Sequence, residues 1–364
     1  MVSVTRRWPT RRLALGLTPT PGPGMALVLL GVALGPNGLG VLSEPALRFL
    51  DPAVFAALAA LGVLVGLHIN VREPRQGHLA VAAVIESGVT ILLVGLGVAI
   101  LLAQTGMTVP TPWPLALLLG ICAVPSSTAA EVSGEPSDVA ATRIRDFGDV
   151  LPLVLGVLVT AWMLPGSLLG DAKLLAQAGL IAVAMAFATW LLVTQTSSES
   201  EQRVFTIGAL LLLGGAAAYL SLSAPLVGLL AGIFWNATGR VGRDRIARDM
   251  RYLQHPLLLL LLLFAGARLS LSIAVVGLVV AYVVFRIVGK LAGGWLAVRV
   301  SAQVPRDLRW SPTAPGVIAV AMAVDALLAG GGTETGTMLF TIVIAGSLVS
   351  ELLSWLASPA DRHA

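Results

Sequence analysis

Apolar residues occupy this chain in blocks of about twenty, and charged residues fall almost entirely in the short gaps between them. At 1.5 Å per residue such a block crosses a hydrocarbon layer of about 30 Å, so each reads as a transmembrane helix. Twelve blocks are present, over residues 25–42, 51–70, 78–103, 113–132, 146–164, 173–194, 204–222, 224–238, 253–269, 272–298, 313–330 and 336–358. The eighth is short, and "LGPNGLG" interrupts the first. The fourth and eleventh are broken by proline, in "ICAVPSSTAAEVS" and "SPTAPGVIAVAMA". Two broken segments in corresponding positions of two halves indicate a transporter built from inverted repeats. The expected fold class is therefore an all-α polytopic membrane protein of about 12 helices, with the fourth and eleventh broken.

Composition agrees with that pattern. Of 364 residues 57% are hydrophobic and 12% charged, against about 25% charged in a soluble domain. The net charge of +4 is not gathered into a nucleic-acid patch. Eighteen of the 23 basic residues lie in the segments assigned to the cytosolic side when the N-terminus is inside. Arg48, Lys173 and Arg268 lie in the outer segments. This asymmetry follows the positive-inside rule and places both termini in the cytosol. Residues 1–24, with Arg6, Arg7, Arg11 and Arg12, read as a cytosolic tail, and 359–364 as another. A signal peptide is the alternative for the first tail, but no A-x-A-like site follows an apolar run there. The single Cys122 excludes an intrachain disulfide, and His68, His78, His255 and His363 form no short-spaced ligand pair. No cofactor and no enzymatic activity are expected.

Two basic residues remain, Arg286 and Lys290, both inside the tenth block and both on one helical face at i, i+4. A cation in the membrane is costly unless paired, and its natural partner is a buried carboxylate. Asp149 supplies one, near the start of the fifth apolar block. With Ser137 as N-cap and Asp138 in the first turn, that helix carries Asp149 roughly 18 Å inward, while Arg143, Arg145 and Asp146 line a cytosolic funnel. Pro152 lacks an N–H, so the Gly148 carbonyl cannot receive its helical hydrogen bond. A carboxylate beside a free carbonyl is a hard oxygen site, suited to a monovalent cation or a proton.

Ser126, Ser127 and Thr128, just after Pro125, offer further oxygens; irregular backbone at this depth persists only where it lines a cavity or is buried. The glycines of "GKLAGG" admit a close neighbouring helix around Lys290. Glu86, Asp146 and Arg145 are candidate vestibule or gate groups. Blander readings stand beside these. Asp149 could be a structural partner of Arg145 at i−4, the three hydroxyls could serve helix packing, and Arg286 and Lys290 could be structural clamps. Asp325 and Glu351 lie in or near spans with no evident partner. The "DFG" tripeptide at 146–148 has no kinase motifs in company. An intramembrane aspartyl protease would need a second facing aspartate, which the motifs do not supply.

In order and spacing, several motifs resemble the monovalent cation:proton antiporters, of the cation:proton antiporter-2 type, over about residues 25–358. "LGVALGPNGLG" is similar to the glycine- and proline-rich signature of the first core helix, and "LGVLVGLHINVR" to the helix that follows. "AVPSSTAAEVS" resembles the broken fourth helix, and "FGDVLPLVLG" the segment that aligns Asp149 with the essential carboxylate. "APLVGLLAGIFWN" and "HPLLLLLLLFAGARLSLS" resemble two later helices, and "FRIVGKLAGG" the tenth, where many members carry a lysine paired with the carboxylate. The resemblance implies a dimerisation scaffold (about 25–70 and 204–269), a moving core (about 78–164 and 272–358), and therefore a homodimer in the plasma membrane. It also implies elevator-like alternating access, with H+ and Na+ or K+ competing for Asp149 and Lys290 as counter-charge.

The chain departs from the family in two places. Gly148 stands where electrogenic members have a second aspartate, which points to 1:1 exchange, and "TAPGV" stands where an Arg-Gly-Glu is common. The rival expectation on the same fold is a carrier of an organic solute, or an inactive homologue.

Overall fold

The computed structural model describes residues 23–69, 77–105, 109–126, 136–163, 168–196, 198–238, 240–270, 272–300, 315–329 and 331–356. Twelve helices are described: α1 (Pro23–Leu34), α2 (Glu44–His68), α3 (Gly77–Thr105), α4 (Pro112–Cys122), α5 (Pro136–Met163), α6 (Leu168–Gln195), α7 (Glu199–Tyr219), α8 (Ala224–Ala237), α9 (Arg240–Ala267), α10 (Ile273–Val300), α11 (Val317–Ala329) and α12 (Glu334–Leu356). Seven of them are long and apolar enough to cross a membrane, and α1, α4, α8, α11 and the apolar part of α5 are shorter. The chain is a multi-pass membrane protein. Among the described residues there is no strand, only an isolated bridge.

The apolar blocks locate the helices but not their ends. Helix α2 starts at Glu44 and α9 at Arg240, well before the hydrophobic runs expected at 51 and 253. Hydropathy marks the part in hydrocarbon, whereas a helix goes on forming its backbone hydrogen bonds into water. Helix α5 likewise starts at Pro136, so Ser137 lies within it instead of capping it. Proline is well suited to a first helical position, because the N–H it lacks would have no intrahelical partner there. Helix α1 ends early, at Leu34, because Pro36 disfavours helical backbone at Gly35 and cannot donate. The turn beyond it is held by the Asn37 amide, which donates to the Leu269 carbonyl at 3.3 Å.

The helices pack in two groups. In one, α2 lies against α8, α7 and α9, with α1 against α9 and α6 against α7 and α8. The α2–α8 crossing is a mutual insertion of backbone. A Cβ on Gly66 would stand 2.7 Å from the Ile233 nitrogen, and one on Gly228 2.7 Å from the Ala59 carbonyl carbon. Small residues four apart on both helices allow this approach, which maximises dispersion contact where no hydrophobic force distinguishes helix from lipid. In the other group α3 packs on α10, α4 and α5, while α12 packs on α10 and α11. Exchanging α1 with α8, α2 with α9, α3 with α10, α4 with α11 and α5 with α12 maps several of these contacts onto one another, α3–α5 becoming α10–α12, although α3–α4 has no comparable α10–α11 counterpart among the described residues. The α1–α9 pair becomes α8–α2, and α4–α5 becomes α11–α12. Such an equivalence is what two repeats require.

The short helices α4 and α11 meet end to end. Ser126 and Pro315 form an antiparallel bridge, and the Gly316 N–H donates to the Pro125 carbonyl at 3.2 Å. The C-terminus of one half-helix thus faces the N-terminus of the other, bringing together the negative and positive ends of two helix dipoles.

Candidate ion-binding site

Around this junction the membrane-embedded charges converge. Arg286 on α10 is 2% exposed. Its Nε donates to the Ala123 carbonyl at 3.1 Å and its Nη2 to the Pro125 carbonyl at 3.2 Å. The guanidinium therefore caps the carbonyl end of α4, where a cation complements the dipole and satisfies groups that no further helical turn can reach. Of its two expected roles, the structural one describes its geometry.

One turn further along α10, the Lys290 Nζ lies 3.2 Å from the Glu86 Oε1 of α3, with side chains 6% and 15% exposed. The same ammonium lies 3.4 Å from the Ser126 Oγ. Glu86 is thus an ion-pair partner of Lys290, one that sequence reasoning did not offer. Packing explains the choice. Gly289 and Gly293 flank Lys290 and seat α10 directly on α3; a Cβ on Gly289 would stand 3.1 Å from the Thr90 Cα, and one on Gly293 2.8 Å from the Glu86 carbonyl oxygen. The closest approach of the two helices places the ammonium over the Glu86 carboxylate. The Thr90 Oγ1 donates to the Glu86 carbonyl at 2.8 Å, on the helix turn that carries the carboxylate.

Asp149 lies on the adjoining α5, half-buried. It is among the charged groups near Lys290. Helix α5 continues through the buried Pro152, so the proline leaves the Gly148 carbonyl without its i+4 donor but does not end the helix. At this level α5 faces α3, since a Cβ on Gly148 would stand 3.9 Å from the Ser87 Oγ. Asp149, Glu86, Lys290, Ser126 and Arg286 are brought to one region by α3, α4, α5 and α10. Ser127 and Thr128, and the side chains of Arg145 and Asp146, lie outside the described residues. Among the described residues no three His, Cys, Asp or Glu side chains gather as a metal site. The oxygens on offer are two carboxylates, a hydroxyl and main-chain carbonyls, the hard donor set that accommodates a weakly held monovalent cation or a proton.

Asp325, which sequence reasoning left without a partner, has two. Its Oδ2 accepts from the Ser223 hydroxyl at 2.7 Å and its Oδ1 from the Ala224 N–H at 3.2 Å. The carboxylate caps the N-terminus of α8 from α11, joining the two helix groups. The signal was present in "SAP" at 223–225, a helix start, but nothing in the chain joins it to a residue about one hundred positions away.

No protein-family model matches the chain, and no curated protein sequence does. Two solved structures of one protein are similar in fold: the sodium proton antiporter MjNhaP1 from Methanocaldococcus jannaschii. The first, at pH 8, has a TM-score of 0.65 and 15% identity over 92% of this chain and 92% of that one. The second, from an electron-microscopy map, has a TM-score of 0.63 and 17% identity over 91% of this chain and 87% of that one. What the chain shares with that antiporter, over nearly its whole length, is the fold.

Proposed function

We propose that the protein is a secondary antiporter that exchanges protons for a monovalent cation, Na+ or K+, across the plasma membrane, with Asp149 as the group that takes either. The observation that carries this reading is the junction of α4 and α11, with Asp149, Lys290 and Glu86 gathered beside it. Charged groups at this depth are expensive and are kept where they serve a transport path. The fold shared with a sodium proton antiporter supports the same reading. The sequence motifs favour the cation:proton antiporter-2 type within that broader class.

In this reading a cation enters between the Asp149 carboxylate, the Ser126 hydroxyl and the Gly148 carbonyl freed by Pro152, with Ser127 and Thr128 as further ligands. Protonation of Asp149 removes the charge that holds the cation, so binding of one expels the other. The α3–α5 and α10–α12 helices move as a core against a scaffold that includes α2 and α8, in a homodimer with cytosolic termini. Purified protein in proteoliposomes, tested with Na+, K+ and Li+ against a pH-sensitive dye, is the direct assay. Cation-driven proton release that disappears in Asp149→Asn is the expected result. Equal release in that variant refutes the role of Asp149, and uptake of an organic solute without any cation response refutes antiport.

A further inference from the structure

We infer that the Asp325 carboxylate and the start of α8 form a latch between the two helix groups, closed in this structure and open when the core stands at the other end of its travel. The inference rests on the antiport reading, in which α11 moves relative to α8, and adds the contact that holds one end position.

Asp325 is 9% exposed. It accepts from the Ser223 hydroxyl at 2.7 Å and from the Ala224 N–H at 3.2 Å, so both bonds run from one helix group to the other. The rest of the buried face of α11, from Val317 through Val324, is apolar, and the helix meets α2, α8 and α9. Apolar surfaces slide by exchanging one contact for another, because dispersion has no preferred direction. Hydrogen bonds do not, since they weaken steeply with distance and angle. Asp325 therefore resists a displacement of α11 that its apolar neighbours permit.

The start of α8 is also built to let go. Ser223 holds the N-cap position in extended backbone, yet its side chain makes no bond to its own helix. An N-cap hydroxyl ordinarily accepts from the second or third amide of the helix. Pro225 has none to give, which leaves that of Leu226. Turned inward, the Ser223 hydroxyl caps α8 by itself, so the departure of Asp325 does not leave the helix end bare. The released carboxylate has a destination too. Helix α11 starts beside the junction at Val317 and ends at Ala329, which carries Asp325 roughly 12 Å outward at 1.5 Å per residue. The chain then turns at Gly331 and Gly332, with φ of 58° and 78°. A carboxylate near that end of the helix meets water at a far lower cost than one at mid-membrane. Each position of the latch thus supplies partners, as a two-position contact between sliding helices requires.

The test ties the two sides together. In a Cys122→Ser chain, Ser223→Cys with Asp325→Cys sets two thiols across the contact, to be linked by oxidation or a mercuric ion and released by dithiothreitol in proteoliposomes. Linking is expected to abolish the cation-driven dye signal and release to restore it, because a closed latch stops the core. Transport that continues in the linked protein overturns the inference, as does failure of the folded, reduced protein either to link or to transport. Ser223→Ala, which spares the Ala224 bond, gives an independent reading should the cysteine chain fail to fold. The apparent KM for the cation in everted and right-side-out vesicles follows the share of protein facing each side. Weakening the latch is expected to raise one KM and lower the other, changing their ratio by about fivefold. A contact with a merely structural role does not shift them in opposite directions, so KM values unchanged in both, or moved the same way, overturn the latch while leaving antiport intact. Absence of a dye signal from the wild-type protein with every cation overturns the antiport reading itself, and the latch with it.

Discussion

Replacing Arg286 with Met tests whether the broken end of α4 depends on its guanidinium. The substitution keeps a long apolar stem and deletes the donors to Ala123 at 3.1 Å and Pro125 at 3.2 Å. The Pro125 carbonyl retains the Gly316 N–H, so the heavier loss falls on Ala123. A buried carbonyl deprived of its donor costs about 1–3 kcal/mol. Loss of a cation from a helix C-terminus adds about 0.3–2 kcal/mol. Met need not be desolvated as an ion, which offsets part of this, and a net loss of about 2–3 kcal/mol remains.

Arg286→Lys keeps the charge but offers a point donor in place of a planar fork, so it is expected to restore roughly half of that loss. The assay is heating of detergent-solubilised protein followed by size exclusion. Domains of 150–250 residues shift by about 2–4 °C per kcal/mol, so Arg286→Met is expected to melt about 5 °C or more below wild type. Melting of Arg286→Met together with wild type would refute the capping role of this residue.

The same unfolding assay reads three further perturbations. Asp325→Ala leaves the Ser223 hydroxyl and the Ala224 N–H without their carboxylate, and a loss of about 1–3 kcal/mol is expected, with Asp325→Asn losing less because it keeps one acceptor; equal melting of the two would count against the cap. Gly228→Ala drives a methyl into the Ala59 backbone and is expected to cost about 1–3 kcal/mol, whereas Gly277→Ala, with nothing within 4 Å, is expected to be neutral or slightly stabilising; reversed signs would mean that α2 and α8 do not cross as described. Arg268→Gln removes the ion pair to Glu44 at 2.9 Å, in which the side chains are 20% and 53% exposed. Its cost is expected to stay below about 1 kcal/mol and to shrink further in added salt; a large, salt-independent loss would contradict a surface role.

The helix count and the two broken segments were legible because membrane burial writes itself into composition. A block that crosses hydrocarbon must be apolar, and a proline within it must find shelter. Helix ends were not legible, because α9 and α5 begin in charged sequence that hydropathy assigns to loops. Within the site, Asp149 and Lys290 stood out because each is a charge in an apolar run. Their partners did not. That Lys290 would meet Glu86 depends on which helix the glycines at 289 and 293 admit, and nothing local to "GKLAGG" names α3. Arg286 was recognisable as buried, but its carbonyl partners lie across 163 and 161 residues of chain. The Asp325 cap was hidden for the same reason, since capping by a distant side chain leaves no short-range motif.

The junction of Ser126 and Pro315 is made of main chain. Side-chain exchanges leave its amide and carbonyl in place, save proline at 316, which removes the N–H, and any side chain at Gly316, which crowds the Ser126 backbone at 3.3 Å. The two half-helices are thus tied to each other through peptide groups alone, a seam written in the backbone and not in the side chains.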